Sequence, residues 1–432
     1  MIQLLHRFLE YRTIFISILF ILIGGVLGGF ISATVLFALH LLFSKKNKLE
    51  FLFALLILTF FLGDNFSGPF SFMQNFRFIV LGLGILYLLR YKVLQKNNAN
   101  DVLLFSLVAF SVTLLFSPLG IMALLRAASF WLVALVIFKM VALLYARNAQ
   151  RTSELLVLIF TLYFGVNLLL LFLPFLEVYQ LGRFKGLTGN PNGFALIAMF
   201  AYAILSLINK RKETTFKKTF FLVFKGALFS AILLTGSRTA LFSVLAFQFT
   251  VILINNKALL LPFFAALGVL YVVFNSMVLG EFINYLGFSE YLRAESLSDA
   301  SGRTDVWPVA WEEIKKSPWL GNGIMYDNYF IAEYVEKYVG DSAARQWGGV
   351  WSSYLSLLLD VGVIGCMAYA YFWIKAFKKS QHKNTAIAFV VMCLLSGITE
   401  SWMAASMNAF TPMMFLFWAI QSHPVNKMNN KE

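Results

Sequence analysis

Charge is scarce in this chain. Only 13% of its 432 residues are Asp, Glu, Lys or Arg, about half the share found in a soluble domain. Such a chain cannot cover itself with an ordinary solvated surface. Histidine is also sparse: His6, His40, His382 and His423 show no HxxxH or HExxH spacing, which removes the common zinc-hydrolase patterns. No Asp-x-Asp occurs, so the carboxylate pair of a Mg²⁺-dependent nucleotide-sugar enzyme is missing. Neither a Walker loop nor GxGxxG is present, so no glycine-rich phosphate cradle is signalled. The only cysteines, Cys366 and Cys393, lie inside apolar runs and read as packed thiols rather than a disulfide or metal pair. The ten-residue alternation of a transmembrane barrel is absent, as are internal repeats and low-complexity segments.

What the chain has instead is apolar length. Hydrophobic residues make up 60% of it, in recurring runs of roughly 17–25 residues, enough to cross a bilayer as helices. The fold class is therefore all-α polytopic membrane protein. Spans are expected near 13–27, 28–43, 50–63, 77–90, 102–117, 121–145, 154–175, 191–208, 219–236, 239–255, 258–276, 351–373, 384–400 and 408–421. That makes fourteen, with twelve as the alternative, because Thr13–Ser44 is long for one span and short for two. Positive charge at both its ends favours a hairpin turning at the Gly24–Gly29 glycines. Met1–Arg12 runs into the first apolar stretch without a small-residue cleavage site, so no cleavable signal is expected.

The net charge of +14 does not point to nucleic acid. Lys and Arg sit in short clusters between apolar runs, such as Lys45/Lys46/Lys48, Lys210/Arg211/Lys212 and Lys375/Lys378/Lys379. An even number of crossings separates them, which places twice as many cations on one side as on the other and marks that side as cytoplasmic. Both termini are then inside. The domain plan is 1–276 for N-terminal helices, 277–350 for a large outer loop, 351–421 for C-terminal helices and 422–432 for a tail. In the loop, Arg303–Ser317 reads as a helix with Val306, Ala310 and Ile314 on one face. Pro318 ends it, Gly321-Asn322-Gly323 turns, and Ile324–Tyr338 follows as a second, tyrosine-rich helix at the membrane interface.

Three outer-face arginines border apolar spans: Arg183 in LGRFKGLTGNPNGFA, Arg238 in LLTGSRTALF and Arg303 in SDASGRTDVW. A single such Arg is ordinarily a snorkelling interface residue. Three against the positive-inside gradient suit a diphosphate, because guanidinium forks hold phosphate oxygens bidentately without a metal. Among the acids, Glu295, Asp299, Asp305 and Asp327 each read singly as solvated loop groups. Glu400, at the end of a span in SGITESWMAAS, needs a partner, and an outer-face Arg is the natural one. The loop Trp and Tyr residues offer faces for sugars or simply anchor the interface.

In this order and spacing, RFKGLTGNPN, GSRTA, SGRTDVWPVAWEEIKKSPWLGNG and WSSYLSLLLDVGVIG resemble the O-antigen ligase/polymerase-like family of bacterial membrane proteins. The resemblance implies a GT-C-like helical fold with a large, partly helical periplasmic loop over a cavity. It implies the inner membrane, an undecaprenyl-diphosphate-linked glycan as donor, no cofactor and metal-independent transfer with inversion. Arg238 and Arg303 match the family's arginines, and with Glu400 they form the expected catalytic set. Arg183, Lys185, Asn190, Asn192, Arg293, Trp351 and Tyr354 are the expected substrate-binding residues. Membrane lipids, a chain-length regulator and a flippase are the implied company, and nucleic acid is not.

One position departs from the pattern. Family ligases that act on lipid A-core usually carry His-Asn where this chain has Trp351-Ser352, and an indole replaces neither a base nor a phosphate partner. The expectation is therefore a polymerase of the Wzy type, with the ligase as alternative. A flippase or secondary transporter is the alternative of another class, and a non-catalytic assembly scaffold is a third.

Overall fold

The computed structural model describes residues 2–44, 47–63, 68–89, 99–173, 178–256, 303–339, 348–403, 405 and 407–424. In chain order the helices are α1 (Ile2–Glu10), α2 (Arg12–Phe43), α3 (Lys48–Leu62), α4 (Met73–Leu89), α5 (Ala99–Phe116) and α6 (Ile121–Leu169). There follow α7 (Pro191–Arg211), α8 (Lys218–Thr235), α9 (Arg238–Asn255), α10 (Arg303–Ile314), α11 (Tyr326–Tyr334), α12 (Ser353–Lys379), α13 (Lys383–Thr399) and α14 (Phe410–Ser422). The strands described, β1 (Tyr179–Gln180) and β2 (Arg183–Phe184), pair antiparallel as a short hairpin. Among the described residues seven helices are long and apolar enough to cross a membrane. The protein is an all-α polytopic membrane protein. The expected span 258–276 and Arg293 lie outside the described residues, as do 277–302 and 340–347 of the loop.

Two of the long helices are pairs. Straight, the 49 residues of α6 would reach about 74 Å, far beyond a hydrocarbon core of about 30 Å. The helix breaks at Asn148 (φ −164°, ψ 102°), whose side-chain oxygen then caps the second half by accepting from Arg151 N–H at 2.8 Å. In α2 the break is Gly29, at φ 66° and ψ −159°, a backbone region essentially restricted to glycine. The two halves fold back on each other: a Cβ on Gly24 would lie 2.2 Å from Leu36 Cδ1. On a straight helix those positions stand about 18 Å apart. The expected hairpin at the glycine run is the observed one.

The expected single span at 351–373 is instead a broken helix. Gly362 in α12 has φ 61° and ψ −169°, and the backbone groups freed there are taken up by the loop segment after α10. Leu359 and Asp360 carbonyls accept from Asn322 and Gly323 N–H at 2.9 and 2.8 Å, and Val363 and Ile364 N–H donate to Pro318 and Trp319 carbonyls at 2.9 and 3.1 Å. The contact is backbone on backbone. A Cβ on Gly362 would meet the Trp319 carbonyl at 2.4 Å, and one on Gly321 would meet Asp360 and Val361 backbone at 2.6 Å.

This splice fixes the loop helices. Val306, Ala310 and Ile314 are buried as expected, in a small core with Phe330, Ile331, Val350 and Leu359. α11 turns Asp327, Phe330 and Ile331 inward, and the Tyr326 and Tyr329 rings lie tilted against each other. α11 thus packs onto the bundle through this face.

On the opposite face the basic clusters converge. Arg211, with a fully buried side chain, grips Glu213 bidentately at 2.7 and 2.8 Å and donates to the Ile420 and His423 carbonyls at the end of α14. Glu154 accepts from Thr215 and lies 3.4 Å from Arg7, and Lys379 reaches Asp101 at 2.5 Å. Lys225 rests over the Tyr202 ring. Gly362→Ala should abolish the splice: the left-handed conformation costs an alanine about 1–3 kcal/mol, and the obstructing atoms are backbone. A sharply lowered melting temperature of the detergent-solubilised protein, against no change for Gly226→Ala in open space on α8, is the expected reading.

Candidate functional site

At the loop-bearing face, separate segments meet through a chain of polar contacts. β2 presents Arg183, whose Nε donates to the Thr235 carbonyl at 2.7 Å and whose Nη2 donates to Asn192 Oδ1 at 2.5 Å. Asn192, in the first turn of α7, donates its Nδ2 to Glu400 Oε1 at 3.0 Å. An amide offers an acceptor at one end and a donor at the other. It therefore fits between guanidinium and carboxylate and orients both. Thr239 and Thr399 hydroxyls lie 2.6 Å apart, holding the end of α13 against the first turn of α9, where Arg238 is the first residue. Arg183, Asn192, Arg238 and Glu400 are thus brought to one rim, at the ends of α7, α8, α9 and α13.

Next to that rim is a cavity of about 500 Å³, lined by Arg126, Asp327, Trp351, Ser356, Asp360 and Trp402 among others. Ser353 joins the two. Its Oγ donates to the Glu400 carbonyl at 2.6 Å and accepts from Trp402 N–H at 3.0 Å, so the strip Glu400–Met403 separates relay from cavity. Two lining residues, Met325 (φ 71°) and Trp351 (φ 54°), are non-glycine residues in the left-handed region. Such strain costs on the order of 1–3 kcal/mol per residue and gathers at functional sites.

Of the two acids in this wall, Asp360 is 4% exposed and Asp327 7%; the carboxyl of Asp327 is the one fixed by side chains. Its Oδ2 accepts from Ser356 Oγ at 2.7 Å, and Oδ1 accepts from Asn328 N–H at 2.7 Å. Ser356 Oγ also lies 3.0 Å from Ser401 Oγ. Burial pushes the Asp327 carboxyl above its ordinary range, against the opposing pull of the hydrogen bonds from Ser356 and Asn328. Asp360 serves the backbone: its carboxylate accepts from Met325 and Asp327 N–H at 3.2 and 3.1 Å and so starts α11.

The other expected site residues divide. Trp351 lines the cavity. Arg303 begins α10 one turn before Trp307, whose indole N–H donates to the Val350 carbonyl at 3.1 Å, beside the cavity wall. Lys185 follows β2, its N–H donating to the Val178 carbonyl at 2.8 Å. Asn190 caps α7 by accepting from Gly193 N–H at 2.7 Å, and Tyr354 donates its hydroxyl to the Leu394 carbonyl at 2.6 Å; both contacts are architectural. Arg126, Ser353, Ser356 and Asp360 were not singled out from the sequence. A serine and a carboxylate on an apolar helix, Ser356 and Asp360, were the signal that could have found two of them.

Residues 223–370 match a family model described as O-antigen ligase. The match runs from α8 through α9, the loop helices and most of α12, and includes Arg238, Arg303, Asp327 and Trp351, whereas Arg183 and Glu400 lie outside it. The chain resembles the O-antigen ligase/polymerase-like family, and the match points to a glycan-processing membrane enzyme. A comparison with curated proteins gave no match.

The Asp327 carboxyl is raised in the fold, so the folded protein holds this proton more tightly than the unfolded chain. Its contribution to stability is therefore greatest below the ordinary Asp value and is lost as pH rises through the folded one. Asp327→Asn keeps the shape without the buried charge. Its melting temperature should exceed the native one at about pH 7, with the gap closing towards about pH 4, in a thermal-shift series; a gap independent of pH would show the carboxyl to be unperturbed.

Proposed function

We propose that the protein polymerises undecaprenyl-diphosphate-linked oligosaccharide repeat units into O-antigen or a related surface polysaccharide, on the periplasmic face of the inner membrane. The observation that carries this reading is the placing of Arg183 and of the first turn of α9, which begins with Arg238, at one rim, beside a cavity lined in part by residues that the family match includes. A guanidinium pair at a membrane rim suits a lipid-borne diphosphate, with forks matched to phosphate oxygens.

In the step proposed, a sugar hydroxyl of one lipid-linked unit attacks the anomeric carbon of another. The new C–O bond forms as the bond from that carbon to the diphosphate oxygen breaks, with inversion. The electron pair leaves on undecaprenyl diphosphate, whose growing charge Arg183, Arg238 and Arg303 stabilise. Preorganised charge at a leaving group is often the largest catalytic term. Glu400, engaged by Asn192, holds Arg183 in place through that amide.

The family description itself, O-antigen ligase, favours a second reading in which the same bond is made to lipid A-core. Trp351-Ser352 in place of His-Asn favours the polymerase. A break like that of α12 also occurs in transporters, near the midplane; here it is closed by the loop segment, at the loop-bearing end.

Deleting the gene separates the readings: core plus one repeat unit means polymerase, no repeat unit means ligase, and an unchanged ladder means neither. Arg238→Ala should lower polymer formation by about 10²–10³-fold, the loss typical of one preorganised charge-stabilising group, with the protein still inserted. Normal ladders would defeat the diphosphate clamp. Activity should also persist in EDTA, measured as chain lengthening in membranes; a strict divalent requirement would indicate another enzyme class.

A further inference from the structure

The relay and the cavity raise separate chemical questions, because a leaving group needs cations and an attacking hydroxyl needs a base. The relay answers the first. Glu400 is poorly placed for the second, since its side chain is engaged by Asn192 at 3.0 Å on the relay side of the Glu400–Met403 strip. On the other side of that strip lies the cavity of about 500 Å³, inside the range of about 300–1,000 Å³ usual for ligand sites. Its lining combines Trp351 and Met325 with Arg126, Ser356, Ser401 and two carboxylates. Apolar faces interleaved with short polar side chains are what a sugar ring, with CH faces and a hydroxyl rim, would meet.

The two carboxylates are not equivalent. Asp360 is committed to the N–H groups that open α11 and to the splice through its carbonyl. Asp327 is held by one hydroxyl and by its own neighbour Asn328, contacts that orient it. It sits in the first turn of α11, which Asp360 and Ser356 tie to α12. The strained backbones at Met325 and Trp351 flank it on the same wall.

We propose that this cavity receives the acceptor sugar and that Asp327 is a catalytic residue, taking the proton of the attacking hydroxyl. This rests on the glycosyl-transfer reading above. The hydroxyl oxygen bonds to the anomeric carbon, its proton passes to an Asp327 oxygen, and the diphosphate departs with the electron pair of the broken bond. Ser356, on Asp327 Oδ2, is a positioning residue.

The test uses the full-length protein in detergent micelles, with the undecaprenyl-diphosphate-linked repeat unit extracted from the deletion strain as both donor and acceptor. Asp327→Asn should lower kcat by about 10²–10⁴-fold, the span of general-base catalysis, with KM changed less than about threefold. Asp327→Glu, a longer acid, should recover part of the rate. A residue needed only for packing gives the reverse order, because the amide is isosteric and the longer acid is not. Asn active and Glu inactive, or Asn within threefold of native, overturns the assignment while native turnover keeps the transferase reading. If the native protein does not lengthen this substrate although it is folded, both fall.

Discussion

A helix broken inside a membrane leaves N–H and C=O groups that lipid cannot satisfy, each at a cost of several kcal/mol. In this protein the rest of the loop-bearing face depends on how that obligation is met at Gly362. The break in α12 is completed by Pro318–Gly323, main chain against main chain, so that the loop becomes part of a transmembrane helix's hydrogen-bond ladder. A loop attached by side chains would tilt and slide. Attached this way, α10 and α11 are held at a fixed height and angle over the bundle, and the wall carrying Asp327 is as rigid as the helix beneath it.

The second constraint is electrostatic. Arginine and glutamate near the apolar phase need partners. An amide between them, Asn192, satisfies the carboxylate at one end and aligns the guanidinium at the other. On the opposite face Arg211 and Glu213 pair directly and bidentately, and Arg211 fastens α7 to the end of α14 through the Ile420 and His423 carbonyls.

Much of this was legible in the sequence, and the remainder was hidden for identifiable reasons. Apolar length and charge clusters locate the helices and the two hairpins, since span length and glycine conformation are local properties. Pro318 and Gly321-Asn322-Gly323 read as a stop and a turn. Their partner, Gly362 in DVGVIG, read as one small residue in a span, because backbone pairing between distant segments leaves no trace in side-chain periodicity. Arg183, Arg238 and Glu400 stood out as charges beside apolar runs, and the fold brings them to one rim. Asn190 and Asn192 looked alike in GNPNG, yet one caps a helix and the other bridges the relay, a difference set by which way α7 turns out of the hairpin. Ser356 and Asp360 were passed over because a mostly apolar helix conceals which of its polar residues face inward.

The order of the splice along the chain bears on biogenesis. Pro318–Gly323 precedes Ser353–Lys379, so during synthesis the receiving segment is made before the helix that needs it is delivered to the bilayer. The nascent helix can then be accepted at its weak point as it inserts, without an interval in which its unpaired main chain faces acyl tails. Were the two segments reversed in the gene, the same final contacts would require an incomplete helix to wait in lipid for its complement. Chain direction thus works as an assembly instruction: the mortise is cut before the tenon arrives.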